Sequence, residues 1–223
     1  MSEPIIKLKQ LSSYLSEIDS FTKPKASLEQ YSTSCDIAAS ILYDIQSRDN
    51  AIYGKTVADL GCGPGIFSIG SLLLGAGHVV GFDIDTDAID VLKSNLSLME
   101  LEDSNFDCIN CDILSLDENI ENTKFYKAFD TVILNPPFGT SHSQKGADIS
   151  FLKTGLSMSK GHVYSLHKTS TRKFVMEKVK SMNAEAKAIA ELRFDLPMTQ
   201  SRHKKVVHDI KVDLIHSWFP DNK

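Results

Sequence analysis

Cysteine is scarce in this 223-residue chain: the four copies fall into no recognisable disulfide framework, so a reducing compartment is expected. Cys108 and Cys111 form a C-x-x-C pair, but no second Cys or His pair stands at zinc spacing. On a shared strand their odd separation would put them on opposite faces, so ordinary structural thiols are expected. A long apolar helix is also missing. The stretch from Leu60 to Phe82 carries no formal charge, yet seven glycines and Pro64 interrupt it, which argues against a membrane-spanning helix and for loop, helix and buried strand. Residues 1–20 mix charged and polar groups with isolated apolar ones, so no secretory leader is expected there. Neither an internal repeat nor a low-complexity tract is present.

What is there is the composition of a globular protein, 42% hydrophobic and 24% charged, at a length that suits one domain with a proper core. The net charge of −5 argues mildly against a nucleic-acid partner, but it is unevenly spread. Between Met99 and Asp130 nine acids face only Lys124 and Lys127. From Ser141 to Ser181 the balance inverts: Lys145, Lys153, Lys160, Lys168, Arg172, Lys173, Lys178 and Lys180 face only Asp148 and Glu177. Arg202-His203-Lys204-Lys205 adds a second basic cluster. Such a face can grip phosphates even on an acidic protein, with an ordinary solvated face as the alternative.

Leu8, Leu11, Leu15 and Ile18 recur at helical spacing and predict an amphipathic helix over 6–18. A second helix is expected to begin near Thr33 or Ser34, either of which can cap it. From Thr56 strands and helices alternate, with strands expected at 56–60, 78–83, 106–111, 130–135 and 161–166 and helices at 66–75, 86–99, 148–159 and 170–182. That alternation implies a mostly parallel α/β sheet covered on both faces. Two further β-rich runs, 185–194 and 207–219, have no helix between them and should pair antiparallel. The expected architecture is therefore a Rossmann-like, seven-stranded, mostly parallel sheet closed by a C-terminal antiparallel hairpin, the outline of a class I methyltransferase. Residues 1–50 would form an N-terminal helical extension and lid, and residues 51–223 the main domain.

Two motifs carry chemistry. Asp59-Leu60-Gly61-Cys62-Gly63-Pro64-Gly65 is a G-x-G-x-G loop with Ile66 where a dinucleotide fingerprint would place its last glycine. Glycines allow a sharp turn after the strand and close approach to a ligand. Asp83 ends the next strand, where an acid can accept hydrogen bonds from ribose hydroxyls. Asp85 and Asp87 are candidate helix caps; Asp112 ends the third strand, a place where methyltransferases carry an acid that hydrogen-bonds the cofactor's adenine amine, with an ordinary turn aspartate as the alternative. The second motif, Asn135-Pro136-Pro137-Phe138, follows the apolar run Thr131–Leu134. The Asn135 amide oxygen and the Pro136 carbonyl can each accept an N–H from a planar amine. The prolines fix their φ angles in advance, and Phe138 can stack on a flat group. Together the motifs point to methyl transfer to nitrogen by positioning, with an adenine amine and a glutamine amide both suitable acceptors.

The sequence resembles the methyltransferase-like protein 5 family, enzymes that methylate one adenine N6 in 18S ribosomal RNA, over nearly its whole length. The resemblance rests on Phe21-Thr22-Lys23-Pro24-Lys25, Leu28-Glu29-Gln30-Tyr31-Ser32-Thr33, the two motifs above and Gly81-Phe82-Asp83-Ile84-Asp85. It extends to Tyr164-Ser165-Leu166-His167-Lys168, Glu191–Pro197 and His203-Lys204-Lys205. It implies S-adenosylmethionine as cofactor, held by Gln30, Thr33, Gly61, Asp83 and Asp112 with backbone contacts near Pro64, Ile66 and Ile113, and with Asp59 and Gly63 also assigned to that site. From spacing alone Gln30 is a linker residue and Thr33 a helix cap. RNA contacts are expected from Lys145, His167, Lys168, Arg172, Lys173, Arg202, His203, Lys204 and Lys205, and no metal is expected. The resemblance further implies a small zinc-binding activator subunit, docked at the sheet edge near Phe106–Cys111, and a nuclear or nucleolar and cytoplasmic location. Two departures from the family pattern are Pro64 and a somewhat longer segment at 141–146.

Overall fold

The computed structural model describes residues 6–139, 144–197 and 207–220. Arg202-His203-Lys204-Lys205 and residues 141–143 of the 141–146 segment lie outside the described residues.

Seven strands form one sheet: β1 (Thr56–Leu60), β2 (His78–Asp83), β3 (Phe106–Asn110), β4 (Phe129–Leu134), β5 (Ser159–Lys168), β6 (Glu185–Pro197) and β7 (Val207–Trp218), in the order β3-β2-β1-β4-β5-β7-β6. The first five pair in parallel, and β7 runs antiparallel to both β5 and β6. The expected α/β sheet with its closing hairpin is what is found. Successive residues of the parallel strands are apolar on both sides because both faces are covered. Val57, Val79, Ile133 and Tyr164 join one core with α1 (Leu8–Leu15), α2 (Cys35–Asp49), α3 (Ile66–Leu73) and α4 (Thr86–Leu98). Ala58, Val80, Val132 and Val163 join the other with α5 (Ile113–Asp117), α6 (Ala147–Met158) and α7 (Arg172–Ser181). None of the helices among the described residues is long and apolar enough to cross a membrane.

The boundaries follow local chemistry. Ser34, not Thr33, caps α2, accepting the Ile37 N–H, which frees the Thr33 hydroxyl. The first helix is shorter than the expected 6–18: Leu11 and Leu15 are buried while Leu8 is exposed, so the apolar stripe is only two residues deep. The short α5 has too few residues to show a period and was not expected; Asp112 caps it through the Leu114 N–H. β3 ends at Asn110, so Cys111 lies beyond the strand, and the four cysteines are free thiols. At the other edge β6 and β7 pair out to Pro197↔Val207, whereas β5 pairs with β7 only as far as Lys168↔Val212. The last turns of this hairpin therefore run past the carboxyl end of β5 as a two-stranded ribbon.

Candidate active site

The carboxyl ends of β1, β2 and β4 lie level, since Leu60 pairs with both Phe82 and Leu134. The segments that leave them, Gly61–Gly65, Asp83–Asp85 and Asn135–Phe138, meet at the crevice where ligands of open α/β sheets bind. One cavity of about 410 Å³ is lined by all three, together with Asp112 and Ile113 beyond β3 and much of the segment from Ser16 to Thr33.

The glycine loop is held from below. The Gly61 and Cys62 N–H groups donate to the Phe82 carbonyl at 2.8 and 3.0 Å. Gly63 has φ +52°, and its N–H donates to Asp83 Oδ2 at 2.8 Å. A Cβ at Gly63 would meet the Phe21 ring at 2.8 Å, so the absence of a side chain lets the ring lie on the loop. Asp83 Oδ1 accepts the Asp85 N–H at 2.8 Å. Burial raises the Asp83 pKa, and these backbone donors pull it back down. Each oxygen thus keeps a lone pair for a diol in the cavity. Asp112 likewise accepts the Leu114 N–H on Oδ1 and the Ser115 hydroxyl on Oδ2 while lining the cavity, so the cap and the cavity wall are the same residue.

Asp59 is a correction. Its carboxyl is 1% exposed, accepts the Ser68 hydroxyl at 2.6 Å and is not part of the cavity wall. It points behind the strand, where burial raises its pKa to about 7. Its role is to brace β1 against α3, not to touch a ligand.

The segment over the cavity is fastened at three points. Asn95, fully buried on α4, donates through Nδ2 to the Asp19 and Pro64 carbonyls at 2.9 Å each and accepts the Asp19 N–H at 2.8 Å. Asp85 takes the Lys25 ammonium on Oδ1 and the Gln30 Nε2 on Oδ2, while Gln30 Oε1 accepts the Lys25 N–H. Gln30 lines the cavity, but its carboxamide is engaged in this latch. The third point is Thr33, whose Oγ1 accepts the Asn135 Nδ2–H at 3.1 Å. Sequence reasoning missed Asn95; the available signal was an amide at a position where the periodicity of Leu92 and Leu96 calls for an apolar residue.

At the acceptor end Asn135 Oδ1 is buried and has no hydrogen-bond donor among the described residues. Pro136, Pro137 and Phe138 line the cavity beside it. Phe138 is half-buried and meets Phe194 of the β6 ribbon edge-to-face at 6.4 Å between centroids. Phe194, also in the cavity wall, was not singled out because nothing in its local pattern says that the ribbon folds back on the clamp.

The expected RNA-contacting cations divide. Lys145 and Lys173 are exposed and Lys168 is partly so. His167 is a correction: it is 0% exposed, on the α6 side of β5, with Nδ1 3.6 Å from Asp148 Oδ2, because the alternation of β5 turns it inward. Arg172 is a second: Nε and Nη2 grip the buried Asp213 at 2.6 Å each, and Nη2 reaches Glu191 at 3.3 Å, so it fastens α7 to the hairpin. No cluster of metal-ligating side chains occurs among the described residues.

Comparisons with known proteins find relatives of this chain over nearly its full length. The family described as ribosomal protein L11 methyltransferase (PrmA) matches residues 41–135. A zebrafish protein named rRNA N(6)-adenosine-methyltransferase METTL5 is 49% identical over 94% of this chain and 98% of its own length. The fruit-fly protein of that name is 45% identical over 93% of this chain and 94% of its own. The crystal structure of a Pyrococcus horikoshii protein, described as a candidate RNA methyltransferase, superposes with a TM-score of 0.81 at 32% identity, covering 98% of this chain and 99% of that one. By identity and coverage, the chain belongs to the METTL5 family of rRNA N(6)-adenosine-methyltransferases.

Proposed function

We propose that this protein is an S-adenosylmethionine-dependent methyltransferase that modifies the N6 amine of an adenosine in 18S ribosomal RNA. The observation that carries the reading is the buried Asn135 Oδ1, an acceptor without a donor among the described residues, on a side chain of the cavity that the glycine loop also lines. A buried orphan acceptor is costly, so it marks where a ligand N–H belongs. The residues present suit the cofactor. Asp83 has lone pairs for the ribose diol, Asp112 and Ile113 border the adenine region, and Gly61, Gly63, Pro64 and Ile66 offer close-lying backbone. The bound cofactor supplies an electrophilic sulfonium methyl.

The chain's own part is to position the acceptor. Asn135 Oδ1 and the Pro136 carbonyl take the two amine hydrogens, which turns the nitrogen lone pair toward the methyl donor. The base leaves its stack to reach this clamp, which costs a few kcal/mol that phosphate contacts offset. Lys145, Lys168 and Lys173 supply part of that attraction, and the basic run Arg202-His203-Lys204-Lys205 of the sequence would add to it. The amine becomes acidic on methylation and releases its proton to water, so no strong base is required.

A partner fits the same reading. Among the described strands β3 is an outer one, paired with β2 alone, and Phe106, Cys108 and Ile109 are half-buried. Strand addition by the small zinc-binding activator would satisfy that edge. A nuclear or nucleolar and cytoplasmic location goes with such a substrate. Labelled-methyl transfer onto small ribosomal subunits, RNA and protein together, from cells lacking the protein tests the proposal: label on adenosine N6 supports it. Label only on a glutamine side chain favours a protein glutamine methyltransferase, and no label favours a non-catalytic assembly factor.

A further inference from the structure

Asn135 can present either end of its carboxamide to the cavity, and only one end suits an amine acceptor. With Oδ1 inward the site accepts an N–H; rotated by half a turn, it would aim two donors at a group whose own hydrogens are donors. The choice between these orientations is made outside the acceptor pocket. Thr33 Oγ1 lies 3.1 Å from Asn135 Nδ2, and Thr33 is 7% exposed, so the bond is shielded from water. Both ends of that bond are fixed by rigid elements. Asn135 is the first residue after β4, and Thr33 immediately precedes Ser34, the cap of α2. Because Ser34 provides the cap, the Thr33 hydroxyl is not needed for it.

We infer that Thr33 is a positioning residue for methyl transfer: by accepting the Asn135 Nδ2–H, it turns Oδ1 to the acceptor amine and ties the segment over the cavity to the clamp. The inference rests on the methyltransferase reading of Asn135 and adds a residue whose direct partner is the clamp. While its oxygen accepts from Asn135, the Thr33 hydroxyl retains its own proton for an acceptor in the cavity it lines. One residue therefore faces both ligands. Loss of the bond leaves the amide free to rotate, a change that acts on turnover and not on cofactor affinity.

The test compares Thr33→Val, which keeps the shape and removes the hydroxyl, with Thr33→Ser, which restores it. At saturating S-adenosylmethionine and RNA, Thr33→Val is expected to lower kcat roughly tenfold, the weight of one orienting hydrogen bond, while Thr33→Ser stays within about twofold of wild type. Calorimetric cofactor affinity should fall by no more than about tenfold in Thr33→Val, the loss of the hydroxyl's own bond, and stay within about threefold in Thr33→Ser, so the drop in kcat at saturating cofactor is a separate effect. In the ligand-free protein, the Asn135 side-chain NH2 should give one downfield-shifted, slowly exchanging proton that Thr33→Val loses and Thr33→Ser keeps. Wild-type kcat in Thr33→Val, or a defect confined to cofactor affinity, would overturn the inference. The magnetic-resonance arm needs no substrate, so it still decides the matter if transfer to RNA itself is not found.

Discussion

Asp83 accepts the Gly63 N–H on Oδ2 at 2.8 Å, so the acid at the end of β2 and the glycine loop after β1 are one unit. The same carboxylate shapes the loop and faces the cavity. Removing it therefore removes a ligand contact and loosens the backbone around it. Asp83→Ala should weaken S-adenosylmethionine binding by roughly a hundredfold, the scale of hydrogen bonds to a charged acceptor. Titration calorimetry on the folded variant checks this, and unchanged affinity would remove Asp83 from the site.

His167 and the lysines make opposite predictions for RNA binding. His167 is sealed on the inner face of β5, with neither ring nitrogen hydrogen-bonded among the described residues, so His167→Leu should leave the salt dependence of RNA affinity unaltered. Lys145 and Lys173 are exposed, and the charge reversal Lys173→Glu should flatten the log–log salt slope by about one unit. Filter binding across a salt series separates the two cases.

Asn95 closes three hydrogen bonds inside the protein, to Asp19 on both its donor and acceptor sides and to Pro64. Asn95→Ala strands the Asp19 N–H and two carbonyls in a part-buried setting, a loss of about 1–3 kcal/mol. Thermal unfolding should shift down accordingly, and cofactor affinity should fall with it because Pro64 belongs to the glycine loop. Asn95→Asp, which keeps the acceptor and loses the donor, should be nearly as damaging.

His216 sets an acid limit on stability. Burial depresses its pKa from 6.5 to about 4, against the pull of Asp49 and with repulsion from His162 and Arg48. Tyr164 donates to Asp49 at 2.6 Å, which keeps that carboxylate occupied with the ring stack. In the folded state the imidazole stays neutral; in the unfolded chain it binds a proton near pH 6.5. Its contribution is therefore intact above about pH 6.5 and is lost as the pH falls toward 4. Chemical denaturation between pH 7.5 and 4.5 should show stability declining in that window, and His216→Phe should flatten the decline.

Much of this was legible in the chain because both faces of the sheet are covered. Thr56–Leu60 and His78–Asp83 were expected over the same residues that form the strands, since apolar runs bounded by glycine or acid leave little choice. The loop and the Asn-Pro-Pro-Phe segment announced themselves for the same reason: each follows a buried strand. Side-chain direction was less legible. Asp59 and His167 sit beside the site in sequence but turn away from it, because position along a strand fixes the face only once the register is known. Phe194 acts through a contact far along the chain that no local pattern encodes, whereas Asn95 left one local trace, an amide on the apolar face of its helix, that does not name its partners.

The central claim is that Asn135 holds the acceptor and does little for the cofactor. The most direct measurement is methyl transfer by Asn135→Ala on small-subunit RNA, with calorimetric cofactor affinity taken on the same preparation. The account predicts transfer below about a thousandth of wild type with affinity changed by no more than about threefold. Retained transfer, or loss that merely follows a collapse of cofactor binding, would contradict it.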